Sequence, residues 1–252
     1  MCCFSRPVES VSSTKIFART GEGNRQFVVY SMSIQAKHDL AMVLPLPVRH
    51  GTGEHGVSFI NLKEYTDFFD DLESGFPVPV TRSLSESDGL APPPASILEV
   101  VQVGNFEASF VPTVKDFSRL DERFCLPAGT WKKLPGYKDY GFAVFKLKKG
   151  DGKIHPMAFS FPRRDVNQLF FPTVHIHDGK VHPKAEFDHV LYCQPREHQH
   201  LSLLHWKESP QHARSFMKVD KAKGLIEPDQ HCYKMPLKGE LPNKDTFMTI
   251  QS

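Results

Sequence analysis

Gln26-Phe27-Val28-Val29-Tyr30-Ser31-Met32-Ser33-Ile34-Gln35 is the stretch on which the fold reading turns. Val28, Tyr30, Met32 and Ile34 alternate with Phe27, Val29, Ser31 and Ser33, the two-residue period of a strand. Outward from it, residues 40–44 read as the next strand, ended by Pro45 and Pro47, which have no N–H to give a ladder. The period then changes. Asn61 stands three residues before Glu64 in a capping-box arrangement, and Leu62, Tyr65, Phe68, Phe69 and Leu72 follow at helical spacing until Gly75.

Residues 77–96, PVPVTRSLSESDGLAPPPAS, hold five Pro and four Ser and few large apolar side chains. Such a stretch buries little and reads as a surface loop or linker. Beyond it, residues 97–103 and 106–111 pair as strands around Gly104-Asn105. Thr113 with Asp116 caps a short helix carrying Phe117, Leu120 and Phe124. Further strands are expected over 142–147, 154–161, 169–177 and 186–193. Strand runs broken by so few helices predict an α+β fold, a mainly antiparallel β-sheet with two or three short helices, in a single domain over 1–252.

The 252 residues carry 31 Lys and Arg against 29 Asp and Glu, a net charge of +2, and 40% of them are hydrophobic. These values exclude a collagen-like repeat and an acidic tail, and a near-neutral chain lacks the broad basic field of a nucleic-acid binder. The 20 Phe suit a β-containing core, and the 20 Pro oppose long helices. Five cysteines, Cys2, Cys3, Cys125, Cys193 and Cys232, form no CxxC pair, which points to reduced thiols. No apolar block of the kind a signal peptide needs lies in the first 25 residues. The apolar run at 41–48 is short and broken by prolines, so a soluble, cytoplasmic protein without membrane spans is expected.

The richest chemistry lies in Phe171-Pro172-Thr173-Val174-His175-Ile176-His177-Asp178-Gly179-Lys180-Val181-His182. Asp-Gly between alternating residues signals a two-residue hairpin turn. With Asp178-Gly179 as that turn, His175 faces His182, and His175, His177 and His182 project from one side. Three neutral imidazoles with an open position suit zinc, and they also suit copper. The alternative is that these rings form the solvated face of a hairpin packed on the core by its other side. Glu186 or Glu54 is a candidate base for a metal-bound water. His198 and His200 are possible further ligands.

Met1 precedes Cys2 and Cys3. Removal of Met1 sets a free α-amine beside the Cys2 thiol, so that Cys2 can act as a nucleophile with its own amine as base. The Met-Cys opening, with Phe17-Ala18-Arg19, resembles the start of the N-terminal-nucleophile amidohydrolases, and the resemblance implies Arg19 as the residue that holds a substrate carboxylate. Alternatively, Cys2 and Cys3 ligate a soft metal beside the histidines.

A longer pattern resembles an uncharacterised bacterial family of unknown function. It comprises Cys2-Cys3 with Pro7-Val8, then Val43-Leu44-Pro45-Leu46-Pro47, then Val101-Gln102-Val103-Gly104 leading to a strand at 142–147. The resemblance implies that both cysteines belong to the folded module, and it brings no activity. The expectation is a metal-binding protein with Zn or Cu at His175, His177 and His182, helped by Cys2 and Cys3, serving as a hydrolase or copper protein on a small-molecule or peptide substrate. An N-terminal-cysteine amide hydrolase using Cys2 and Arg19 is the second possibility, and a binding or metal-storage module the third.

Overall fold

The computed structural model describes residues 2–77, 101–103, 106–120, 125–126, 129, 135–177, 180–196 and 199–251, with the backbone alone for 2, 101–103, 151–153 and 251. The described chain is dominated by strands. In order they are β1 (Cys2–Phe4), β2 (Ser10–Thr20), β3 (Arg25–Ala36), β4 (Leu40–Leu46) and β5 (Ser58–Ile60). The helix α1 (Phe68–Ser74) follows, then β6 (Val101–Val103), β7 (Phe106–Val111), β8 (Gly141–Leu147), β9 (Gly150–Lys153) and β10 (Met157–Pro162). The last third contains β11 (Gln168–Phe171), β12 (His175–Ile176), β13 (Lys184–Cys193), β14 (His200–Leu201), β15 (Lys207–His212), β16 (His231–Pro242) and β17 (Thr246–Gln251).

Two large sheets face each other. One runs β12-β1-β4-β8-β7-β6, the other β15-β16-β13-β2-β3-β10-β5 with β9 also on β3, and a small third sheet joins β11, β17 and β14. The sheets are mixed, since β1 pairs parallel with β12 and β2 parallel with β13. The expected α+β fold is thus nearer to a layered β-protein. Among the described residues α1 is the one α-helix, and the other helical pieces are 3-10 turns.

Alternation explains the layering. On β3, Val28, Tyr30, Met32 and Ile34 join Met42, Leu44, Phe145, Phe159 and Leu191 in the core between the two sheets. Val29, on the opposite face of β3, packs with Phe17 and the buried α1 face of Phe68, Phe69 and Leu72 in a second core. The outer face of the other sheet, with Cys3, Val43, Phe142 and Val144, makes a third core under Phe117. A strand buried on both faces therefore keeps its period in which core each residue joins.

The helix expected after Asn61 is split. Asn61 accepts a hydrogen bond from the Lys63 N–H at 2.8 Å, opening a 3-10 turn, and α1 proper begins at Phe68. β4 runs through Pro45, which stands opposite Phe142. The strand expected over 169–177 is broken into β11 and β12 at Pro172-Thr173. The lysine-rich segment around Gly150 is a crossing between sheets, because β8 pairs with β4 and β9 with β3. Most of the 77–96 loop and Trp131 lie outside the described residues, as do Phe124, His198, Gly104-Asn105 and Asp178-Gly179. No helix among the described residues is long and apolar enough to cross a membrane.

Candidate functional site

The histidine hairpin does not form. β12 pairs with β1 in one sheet, with Cys2 opposite His175 and Cys3 opposite Ile176, while β13 begins at Lys184 in the other sheet. Side chains from the turn between β16 and β17 take the place of the missing strand partner. Asn243 accepts from the His175 N–H at 2.7 Å and donates its Nδ2 to the carbonyls of His175 at 2.8 Å and His182 at 3.0 Å. The Asp245 carboxylate accepts from the Thr173 and Val174 N–H groups at 2.9 and 3.1 Å and from the Tyr137 hydroxyl at 2.7 Å. Pro172 before this segment and Pro183 after it cannot extend a ladder, which is why side-chain acceptors and donors decide its course.

The rings that converge are His175, His177 and His189, not His182, which is exposed. His175 lies with ring centroids 4.8 Å from His177 and 4.6 Å from His189. Its Nε2 is 3.1 Å from the Nε2 of His189, so one ring donates a proton to the other across the gap between the two sheets. Phe4 stacks at 5.6 Å on His177, and Phe187 at 4.5 Å on His175. Burial pushes His175 down to about 3 and His189 down to about 2, each helped by the neighbouring imidazoles. Both are neutral at ordinary pH.

Among the described residues no group of three His, Cys, Asp or Glu side chains could hold a metal ion. This overturns the zinc or copper site of His175, His177 and His182 with Cys2 and Cys3, and with it the metallohydrolase, copper and storage readings. The physical reasons are local. His182 faces solvent, the nitrogens of His175 and His189 face each other rather than a common ion, and Cys3 is buried on the opposite face of β1 beside Ile176. The Cys2 side chain lies outside the described residues, and only its backbone place next to His175 is fixed. The candidate bases are elsewhere: Glu54 pairs with Arg119, and Glu186 is exposed on β13 opposite Glu240.

Arg19 is also placed differently from the hydrolase reading. It is 5% exposed, and its guanidinium donates to the Leu225 carbonyl at 2.7 Å, the Thr20 carbonyl at 3.1 Å, Glu227 at 2.7 Å and the Gly224 carbonyl. Every guanidinium nitrogen is thus engaged, mostly in tying β2 to the 224–227 turn, and no parallel pair of N–H groups is left free for a substrate carboxylate. Arg19 is therefore not placed to hold a substrate carboxylate as the amide-hydrolase reading of Cys2 and Arg19 expects.

A different construction stands where the chain leaves for residues 78–100. Phe76, 1% exposed, is the last apolar anchor before that segment. It stacks on Tyr192 at 6.0 Å, and Lys234 lies 5.8 Å over its ring. Glu73 accepts hydrogen bonds from Tyr192 and Lys234 at the same place. A Cβ added to Gly75 would meet the Phe216 ring at 2.6 Å, so the backbone there is pressed against its neighbour. At the other end, β6 is the outermost strand of the first sheet, held by its pairing with β7. Sequence reading missed this clamp, as it missed His189, Asn243 and Asp245. For His189 a signal exists, since Phe187, His189, Leu191 and Cys193 alternate in β13, and all four are buried.

No family model matches the chain. Solved structures similar to it are of baculovirus P35. One, at 15% identity and a TM-score of 0.48, spans 96% of this chain and 97% of that one. A second is P35 in complex with caspase-8, at 13% identity and a TM-score of 0.43, spanning 94% and 96%. A third is a mutated P35 after caspase cleavage, at 13% identity and a TM-score of 0.45, spanning 96% and 100%.

Proposed function

We propose that this protein binds a protease through residues 78–100 and is cut there after Asp88. The observation that carries the reading is the clamped departure at Phe76, where Tyr192, Glu73 and Lys234 fix the chain as it leaves the scaffold. A segment tied to a rigid scaffold at both ends has less conformational freedom to lose on binding than a free peptide, and binding loops are carried on such scaffolds. Asp88 is the one aspartate of 78–100, and Gly89 after it offers a protease an unobstructed backbone. A carboxylate side chain is the natural bidentate partner of an arginine-lined specificity pocket.

The protease to try first is caspase-8, the partner in the solved complex of P35. Incubation of the full chain with active caspase-8 is expected to give two fragments meeting at Asp88-Gly89 by intact mass, with protease activity falling in proportion to the protein added. Asp88→Ala is expected to weaken that loss of activity at least 100-fold with the thermal midpoint unchanged. An uncut chain, cleavage elsewhere, or cleavage with the protease left fully active would each overturn the reading.

A further inference from the structure

A cleft on the opposite side of the β3–β10 pair from α1 holds a buried guanidinium that makes no ion pair among the described residues. It encloses about 210 Å³ and is lined by Gln26, Tyr140, Phe161, Arg163, Phe170 and Phe247 among others. Taking about 30 Å³ for a water, this is room for roughly seven waters, the scale of a single ring with one polar group rather than of a large cofactor.

Arg163 is the decisive residue. It is 7% exposed, and no carboxylate forms an ion pair with it among the described residues. Its Nη1 donates to the carbonyls of Val166 at 2.6 Å and Gln168 at 3.3 Å. Among the described residues its Nε, which is buried, has no hydrogen-bond partner, and Nη2 makes no bond. The Nε–Nη2 edge is the pair of parallel N–H groups with which arginine holds a planar carboxylate. Burial lowers the guanidinium's pKa, but arginine keeps its charge, so a buried cation without a counter-ion is a standing cost that an anion would remove. Asp165 is near enough to ease this cost in part, and its Oδ1 accepts from the Asn167 N–H at 2.9 Å.

The rest of the lining mixes aromatic rings with polar side chains, Asp165, Arg164, Gln168 and Gln26 among them, and several of these are held in place. Gln26 spends both ends of its amide on the Phe170 backbone, donating to the carbonyl at 2.6 Å and accepting from the N–H at 3.0 Å. Phe170 packs edge-on against Phe161 at 6.3 Å and tilted against Phe247 at 5.2 Å. Phe247 is 42% exposed, unusual for a ring of that size. On the rim, Arg164 lies 4.8 Å over the Tyr140 ring and donates to the Val48 carbonyl at 3.1 Å, adding a second fixed positive charge.

We infer that this cleft binds a carboxylate carried on a small apolar or aromatic body, the carboxylate on the Nε–Nη2 edge of Arg163 and the body against Phe170 and Phe247. Two sources share that chemistry: a free aromatic acid, and the C-terminal residue of a peptide. This inference rests on neither residues 78–100 nor Asp88.

Calorimetric titration of the full chain with benzoate, N-acetylphenylalanine, benzyl alcohol and acetate tests it. Saturable one-to-one binding of benzoate is expected, at least tenfold tighter than benzyl alcohol, which lacks the charge, and than acetate, which lacks the ring. N-acetylphenylalanine binding tighter than benzoate assigns the site to a peptide terminus, and the reverse assigns it to a free acid. Phe247→Ala, at an exposed position that leaves the fold intact, is expected to weaken benzoate at least fivefold. Arg163→Lys, which keeps the charge and loses the fork, is expected to weaken it at least tenfold. Benzyl alcohol or acetate binding as tightly as benzoate would overturn the inference, and so would benzoate affinity unmoved by Phe247→Ala.

Discussion

His189 shows how much a single buried side chain can set. On β13 it faces the inter-sheet gap, fully buried, with its Nε2 on His175 and its Nδ1 without a hydrogen-bond partner. Desolvation holds both rings well below the ordinary histidine value of 6.5, to about 2 for His189 and about 3 for His175. Above 6.5 both states of the protein carry neutral rings, and stability is at its full value. Below 6.5 the unfolded chain takes up protons that the folded one refuses, so stability falls by up to about 1.4 kcal/mol per pH unit for each ring until the folded values are reached. Urea midpoints between pH 7.5 and 5 are expected to drop along this slope, and His189→Leu to flatten it. A slope equal in the two proteins would show that other groups are responsible. An imidazole alternating with Phe187 and Leu191 was there to be read in the sequence, but sequence reading spent its histidines on the turn at 178 and 179.

At the scale of the element, β12 is a strand of two residues whose existence depends on its surroundings. Its period reads correctly from sequence, and Ile176 does turn away from His175 into the third core. What sequence cannot supply is the partner, because the N–H groups of 173–175 are claimed by Asn243 and Asp245 from nearly 70 residues away. Asn243→Ala removes three hydrogen bonds to that backbone at once. At about 1 kcal/mol net for each bond, less what water restores, the loss is expected near 2 kcal/mol. Amide exchange should quicken at His175 and leave β3 protected; exchange at β12 unaffected by the substitution would mean that β1 alone holds it. Pro45 inside β4 teaches the same lesson, since a proline that looked like a stop is accepted where its neighbours supply the pairing.

For the molecule as a whole, the aromatic contacts between the sheets are what make the layers one unit. Phe145 from the β4-containing sheet and Phe159 from the β3-containing sheet lie 5.9 Å apart, with Phe59 against both at 5.5 and 6.4 Å. Phe159 is fully buried, so Phe159→Ala is expected to cost about 3–5 kcal/mol through lost burial and the cavity left behind. Because both sheets lean on that ring, denaturant unfolding followed by far-ultraviolet dichroism and by tryptophan fluorescence should move together to a lower midpoint. Two separated transitions would mean that the sheets fold independently. The sequence by itself determined the strands with strong alternation, β3, β7, β8 and β13, and the apolar face of α1, because periodicity is a property of a few neighbouring residues. Tertiary structure alone decided that β1 pairs with β12 and β2 with β13, that His175 meets His189 rather than His182, and that Arg19 is ion-paired while the buried Nε of Arg163 is left without a hydrogen-bond partner among the described residues. Those outcomes depend on which distant groups compete for each N–H, carbonyl and charge, and that competition is settled only when the layers close.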